Sequence, residues 1–283
     1  YKFVKKVLIM PETEQQRNER NRQEDLQRLR GFRPIDDDFM RCIFRDDIPL
    51  TQHVLRILIG KDDLEIVSVE TQADMKRLVG ARSLCLDAYG TDSTGKRYDI
   101  EIQRVDRGAG AHRARYHSSV MDIENLDAGE DFEELPDTYT IFITENDIYG
   151  KGIPLYPIER INLGTGELFS DGEHILYVNG AYEGDDPIGI LMHDFRCSNP
   201  DDMLDDKMAA KTRYFKETEE GVEYMCKAIE KMRDDVRNET RIMVYADLVL
   251  NLMETVKFSL EQAMDALKIP ESERDKLVSK IKE

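Results

Sequence analysis

Asp87 and Glu101 flank a short polar loop in a way that could do chemistry. The loop Asp92-Ser93-Thr94-Gly95 has Asp at the first and Gly at the fourth position of a type I turn. That is the pattern of a three-residue hairpin loop closed by a glycine bulge. In this register Asp92 faces Lys96 and, counting outward, Asp87 faces Glu101, with Cβ atoms about 4.5–5.5 Å apart. A two-residue loop would shift the pairing by one and send the two acids to opposite faces. Strand alternation then sets Asp99, Glu101 and Gln103 on one face and Tyr98, Ile100 and Ile102 on the other. The apolar set predicts a core face; the polar set predicts a surface or a cleft. Like charges placed opposite each other destabilise a sheet, and a hard divalent cation such as Mg²⁺ or Mn²⁺ would relieve them. The plainer alternative is a solvated acidic face in an acidic protein. Against it stands the neighbourhood: residues 96–116 hold Lys96, Arg97, Arg104, Arg107, Arg113 and Arg115 against only Asp99, Glu101 and Asp106. Carboxylates inside a basic patch suit a metal site approached by a polyanion. Ordinary salt bridging to the acidic segment 127–137 is the competing account of those arginines.

The elements that must carry these residues follow from periodicity. Phe39, Met40, Ile43 and Phe44 recur at helical spacing behind the acids Asp36, Asp37 and Asp38, which favour a helix N-terminus. A second short helix follows Pro49, with Leu50, Val54, Leu55 and Leu58. Residues 64–69, 83–89 and 97–103 alternate as strands, residues 109–126 read as a helix, and TYTIFIT (138–144) carries a strong strand signal. The order over 36–145 is therefore α, β, β, β, α, β. Further strands are expected at 158–163 and 173–178 in a turn-rich stretch. From Met203 onward the pattern is helical, with Val222, Met225, Ile229, Met232 and Val236 forming a packing stripe. Ser259 with Gln262 makes a capping box, and Pro270 suits the first turn of a last helix. Residues 11–30 are almost wholly polar and predict a solvated helix or arm outside the core. The expected domains are a polar arm (1–34), an α/β domain (35–200) and a helical C-terminal region (201–283).

Composition narrows the function classes. The 283 residues carry 40 basic and 58 acidic side chains, a formal charge of −18, and 40% are hydrophobic. That is apolar enough for a real core and too acidic for a nonspecific, charge-driven nucleic-acid binder. No apolar run reaches the roughly 20 residues of a membrane helix. The early lysines precede only a four-residue apolar run at 7–10, too short for a secretory leader, so a soluble, cytoplasmic protein is expected. Cys42, Cys85, Cys197 and Cys226 form no CxxC pair and read as small hydrophobes rather than zinc ligands. No P-loop, HExxH or GxSxG is present. His112 and His117 lie five apart and share no helix face, which points to surface imidazoles or a phosphate contact. His193, beside Asp194 and Phe195, reads as a satisfied structural histidine.

With these residues in place, the sequence resembles the PD-(D/E)XK nuclease superfamily, and more closely the PD-(D/E)XK family transposases related to the Rpn recombination-promoting nucleases. The stretches that carry the likeness are IDDDFMRCIF, RSLCLDAYGTDSTGKRYDIEIQR, GAHRARYHSSVMD, ELPDTYTIFITENDIYGKGIPLY and DGEHILYVNGAY, across roughly residues 35–195. The resemblance implies a restriction-endonuclease-like α/β fold: an αβββαβ core of mixed sheet flanked by helices, here with a helical C-terminal extension. It implies a divalent metal, Mg²⁺ or Mn²⁺, held by Asp87, Glu101 and the carbonyl of Ile102. It sets Gln103 at the position usually held by Lys, able to orient a water but not to supply positive charge. It makes Arg113 and Arg115 phosphate contacts and one of Asp36, Asp37 and Asp38 an additional acid, with Asp99 a substitute ligand. The implied activity is Mg²⁺-dependent cleavage of DNA phosphodiester bonds in a mobile-element or recombination setting. DNA is the implied partner, no membrane is, and a homo-oligomer is left open. The net acidity and Gln103 also admit a second reading, a catalytically decayed nuclease scaffold serving as a DNA-associated or protein-interaction module.

Overall fold

The computed structural model describes residues 13–75, 84–103 and 106–282. Arg104 and the side chains of Cys85 and Arg107 lie outside the described residues, as does the early basic and apolar segment. The helices α1 (Glu14–Gly31), α2 (Asp37–Phe44) and α3 (Ile48–Ile59) come first. Helix α2 buries Phe39, Met40, Cys42, Ile43 and Phe44. Helix α3 starts at Asp47, whose side chain accepts the Leu50 N–H. It stops at Gly60, whose φ of 70° is the left-handed conformation open to glycine.

Strands β1 (Ile66–Met75), β2 (Leu84–Asp92) and β3 (Arg97–Gln103) follow, then a 3₁₀ turn at Asp106–Ala109, α4 (Ala111–Asn125) and β4 (Thr138–Thr144). This is the expected αβββαβ order. Strands β5 (Leu155–Ile158) and β6 (Glu173–Asn179) complete a six-stranded sheet of order β1-β2-β3-β4-β6-β5. The pairs β1–β2, β2–β3 and β5–β6 are antiparallel, whereas β3–β4 and β4–β6 are parallel. The expected strand at 158–163 lies earlier, as β5. Pro157 cannot donate to a ladder and is tolerated there because β5 is an edge. Helices α2 and α3 pack on β1 and β2, and α4 packs on β4 and β1.

Ala114 of α4 packs in one cluster with Ala109, Phe142, Tyr156 and Tyr177. In the parallel register Glu101 neighbours Phe142, so this covered face is also the polar face of β3. The expected surface or cleft is therefore corrected: Tyr98 to Ile102 are all buried. Alternation alone could not reveal a helix laid over the acidic side.

Helices α5 (Pro187–Arg196), α6 (Asp206–Glu217), α7 (Glu219–Thr255), α8 (Leu260–Ala266) and α9 (Glu271–Lys282) complete the chain. The capping box at Ser259 and Gln262 forms as read, and Pro270 immediately precedes α9. Along α7, Met225 and Ile229 are buried while Val236 is exposed. The polar arm is a helix, and its Leu29 is buried, contrary to the expectation that it stays outside the core.

The chain divides into two compact units, Gln27–Val222 and the chain up to Leu26 with Glu223–Glu283. The first contains the sheet. The second has its own cluster of Ala246, Val249, Ala263, Met264, Ile269 and Leu277, and pairs Arg233 with Asp25 at 2.8 Å. No described helix is long and apolar enough to cross a membrane.

Candidate active site

The hairpin register places the site. Strands β2 and β3 pair from Thr91↔Arg97 to Ala88↔Ile100, the alignment expected for a three-residue loop, with Gly95 at φ 92°. One step further, side chains take over from the backbone. The Asp87 N–H donates to Glu101 Oε1 at 3.0 Å, and the Ile102 N–H donates to Asp87 Oδ2 at 3.3 Å. Each acid thus fastens the other's strand. The N–H and C=O of one strand residue point to the same side, so the Ile102 carbonyl shares the edge occupied by Asp87.

Each carboxylate also has its own guanidinium. Arg41, from α2, lies 3.2 Å from Asp87 Oδ1, and Arg113, from α4, lies 2.9 Å from Glu101 Oε2. Asp99 and His117 complete the cluster. His117 Nδ1 is 2.8 Å from Asp99 Oδ2, and His117 Nε2 accepts from Arg113 Nε at 3.1 Å. Asp99 and His117 are 0% exposed and Glu101 1%. His117 is therefore neither a surface imidazole nor placed for a phosphate contact, which corrects the expectation from sequence. Its ring packs edge-on against Phe142 at 5.6 Å.

Burial sets the protonation here. Loss of water, then the nearby Asp87, raises the Asp99 carboxyl well above the usual carboxylate range. Glu101 is pushed up to about 8 by burial first, then by Asp99 and Asp87. Burial lowers His117 to about 4, so its imidazole is neutral at pH 7.

These donors fit a divalent cation. Carboxylate oxygens and a backbone carbonyl suit a hard ion, and the buried Asp99 Oδ1 has no hydrogen-bond partner. Atoms of Asp99, Glu101 and His117 lie within 4.8 Å of one another, close enough to share one ion.

The remaining residues read from sequence are placed as follows. The Gln103 carbonyl accepts the Glu145 N–H at 3.2 Å, and its side-chain amide lies against Gly108, where a Cβ would come within 1.8 Å of Gln103 Oε1. Arg115 is exposed on α4. Asp36 accepts from Arg33, and Asp38 lies 3.7 Å from Arg28. With Arg28, Gly31, Phe32 and Arg33, Asp36 and the α2 acids Asp37 and Asp38 line a cavity of about 520 Å³. Helix α2 reaches the cluster through Arg41, which the sequence reading missed and for which its pattern offers no signal. The i, i+4 spacing of Arg113 and His117 was a usable signal for His117. Away from the site, the His193 ring is satisfied as expected, its Nδ1 2.9 Å from Asp194 Oδ1, and Asp194 accepts the Leu204 and Asp205 N–H groups.

Residues 48–179 match the family model of the PD-(D/E)XK nuclease family transposases. The matched PD-(D/E)XK span starts at the first residue of α3 and ends at the last residue of β6, and so holds Asp87, Asp99, Glu101, Gln103, Arg113 and His117. A nuclease- or transposase-type function is supported on this ground, and the mixed sheet flanked by helices agrees with a restriction-endonuclease-like fold. No curated protein and no solved structure gives a match to this chain.

Proposed function

We propose that the protein is a metal-dependent endodeoxyribonuclease that hydrolyses DNA phosphodiester bonds in a mobile-element or recombination context. The observation that carries the reading is the interlock of Asp87 and Glu101, within the PD-(D/E)XK span, where β2–β3 pairing ends. Asp87, Glu101 and the Ile102 carbonyl would hold Mg²⁺ or Mn²⁺. A bound ion supplies a water of lowered pKa and stabilises the charge that builds on the phosphate. Gln103 orients the attacking water through its amide, a hydrogen-bonding role that needs no charge. Arg113 and Arg115 contact the phosphate backbone, and Arg41 keeps the Asp87 carboxylate facing Glu101.

The test is nicking of plasmid DNA with Mg²⁺ or Mn²⁺ by the wild type beside Asp87→Ala, Glu101→Ala. The wild type is expected to cut, and the double variant, stripped of both side-chain metal ligands, to lose that activity. Equal nicking by both, or none by either across metals and salt, would defeat the reading. One observation favours the non-catalytic alternative. Arg41 and Arg113 already neutralise the two acids, so the cluster can persist as a purely structural ion-pair network. Absence of nicking together with a normally folded protein would select it.

A further inference from the structure

A chain of polar contacts runs through the cluster on the α4 side. Arg113 joins Glu101 Oε2 to His117 Nε2, and His117 Nδ1 meets Asp99 Oδ2. Because Nε2 accepts from Arg113, the imidazole proton is assigned to Nδ1, where it is donated to Asp99. Only Asp99 Oδ1 is left without a hydrogen-bond partner, in a residue with no exposed surface. The Glu101 carboxyl is a near neighbour, with ligand atoms of the two acids within 4.8 Å, and two neighbouring carboxylates attract only through a shared proton or a cation.

We propose that Asp99, Glu101 and His117 form a second cation site, beside Asp87 and sharing Glu101, that prefers a borderline divalent ion, Mn²⁺ or Zn²⁺, over Mg²⁺. The preference follows from the donors. Mg²⁺ favours oxygen and water, whereas an imidazole nitrogen suits Mn²⁺ and especially Zn²⁺. The spacing is suitable: His117 Nδ1 is 2.8 Å from Asp99 Oδ2 and 3.9 Å from Glu101 Oε1. Ligands about 2.1 Å from a zinc ion are separated by comparable edges.

Binding has a consequence for Arg113. The ion takes the Nδ1 lone pair, the imidazole stays neutral by carrying its proton on Nε2, and the proton between Asp99 and Glu101 leaves for solvent. Nε2–H then faces Arg113 Nε–H, donor against donor, and the guanidinium must turn away. Its side chain is already 41% exposed, so the release is toward solvent, where a phosphate oxygen can receive it. Occupation of this site and engagement of a phosphodiester by Arg113 are thereby coupled. That last step rests on the nuclease reading; the cation site itself does not.

Calorimetric titration with MgCl₂, MnCl₂ and ZnCl₂ tests the site on the wild type, His117→Gln, Asp99→Asn and Asp87→Asn, with thermal unfolding as the check on folding. His117→Gln and Asp99→Asn are expected to weaken Mn²⁺ and Zn²⁺ at least tenfold and Mg²⁺ less than threefold, while Asp87→Asn keeps a Zn²⁺ site. A long-range ¹H–¹⁵N imidazole spectrum of the wild type, which needs no variant, should show His117 pass from the Nδ1–H to the Nε2–H form when Zn²⁺ is added. Unchanged Mn²⁺ and Zn²⁺ affinities in both the His117 and Asp99 variants, or a His117 tautomer indifferent to Zn²⁺, would overturn the proposal. If Asp87→Asn abolishes nicking in that case, the nuclease reading survives alone. Zn²⁺ binding at His117 in a protein that never nicks DNA would leave this site standing and remove the nuclease. No binding of any ion to the wild type would overturn both.

Discussion

Glu101 has almost no water around it, two acidic neighbours and one guanidinium. Its folded-state pKa of about 8 lies above its ordinary 4.5, so the folded state holds the proton more tightly than the unfolded one. That contribution is fully present below pH 4.5 and is lost as pH rises through 8. His117 works in the opposite sense: its value falls from 6.5 to about 4, so its contribution is present above pH 6.5 and lost as pH drops through 4. Below pH 6.5 the two trends offset each other, so the metal-free protein is expected to lose thermal stability between pH 6.5 and about 8. Glu101→Gln should flatten that decline, and Mn²⁺ should reverse it by binding only the folded state; a melting-temperature profile against pH measures all three. Removing the guanidinium with Arg113→Ala leaves a buried carboxylate without its donor and should cost about 1–3 kcal/mol. Adding Glu101→Gln should recover most of this, as read by urea unfolding. Gly108 is constrained by contact, since a methyl there meets Gln103 Oε1 at 1.8 Å. Gly108→Ala should displace the Gln103 amide and lower any nicking rate while leaving divalent-cation affinity close to wild type.

At the level of elements, the hairpin is the controlling device. Its glycine sits at φ 92° with nothing within 4 Å of a built Cβ, so the penalty for Gly95→Ala is conformational, about 1–2 kcal/mol, and should appear in chemical denaturation. Removing Thr94 has a different effect. A two-residue loop moves β3 by one position, turning Glu101 away from α4 and Ile100 into the polar cluster. A folded protein with intact metal binding after that deletion would contradict the register argument. Helix α4 is the second device. Ala114, His117, Ser118 and Met121 form its buried side, so one helix face both seals the sheet and delivers the imidazole. Arg113 comes from the same helix, one turn before His117, so one element supplies both groups that meet the β3 acids.

Across the whole molecule, a formal charge of −18 repels a polyanion overall, so DNA must be received at local basic residues such as those around β3 and α4. DNA affinity should then depend on few phosphate contacts and fall only gently with salt. Arg115→Ala, at an exposed position on α4, is expected to weaken binding evenly across DNA sequences. It should also reduce the slope of log K against log salt by about one, with no change in ion affinity. The two compact units follow different rules. The one that holds the sheet depends on long-range strand pairing, whereas the other is built from helices with their own apolar cluster.

Local patterns carried a good share of this. The hairpin register, the αβββαβ order, the limits of β3 and β4, the capping box at Ser259 and the apposition of Asp87 with Glu101 are set by residues near one another in the chain. Turn chemistry and period-two or period-3.6 alternation act at that range. Three features depended on the folded whole: burial of the acidic face, the guanidinium that Arg41 brings to Asp87, and the chain of contacts through His117. Each joins residues that no local rule connects, and desolvation, which changes the protonation of Asp99, Glu101 and His117, arises only when α4 closes over the sheet.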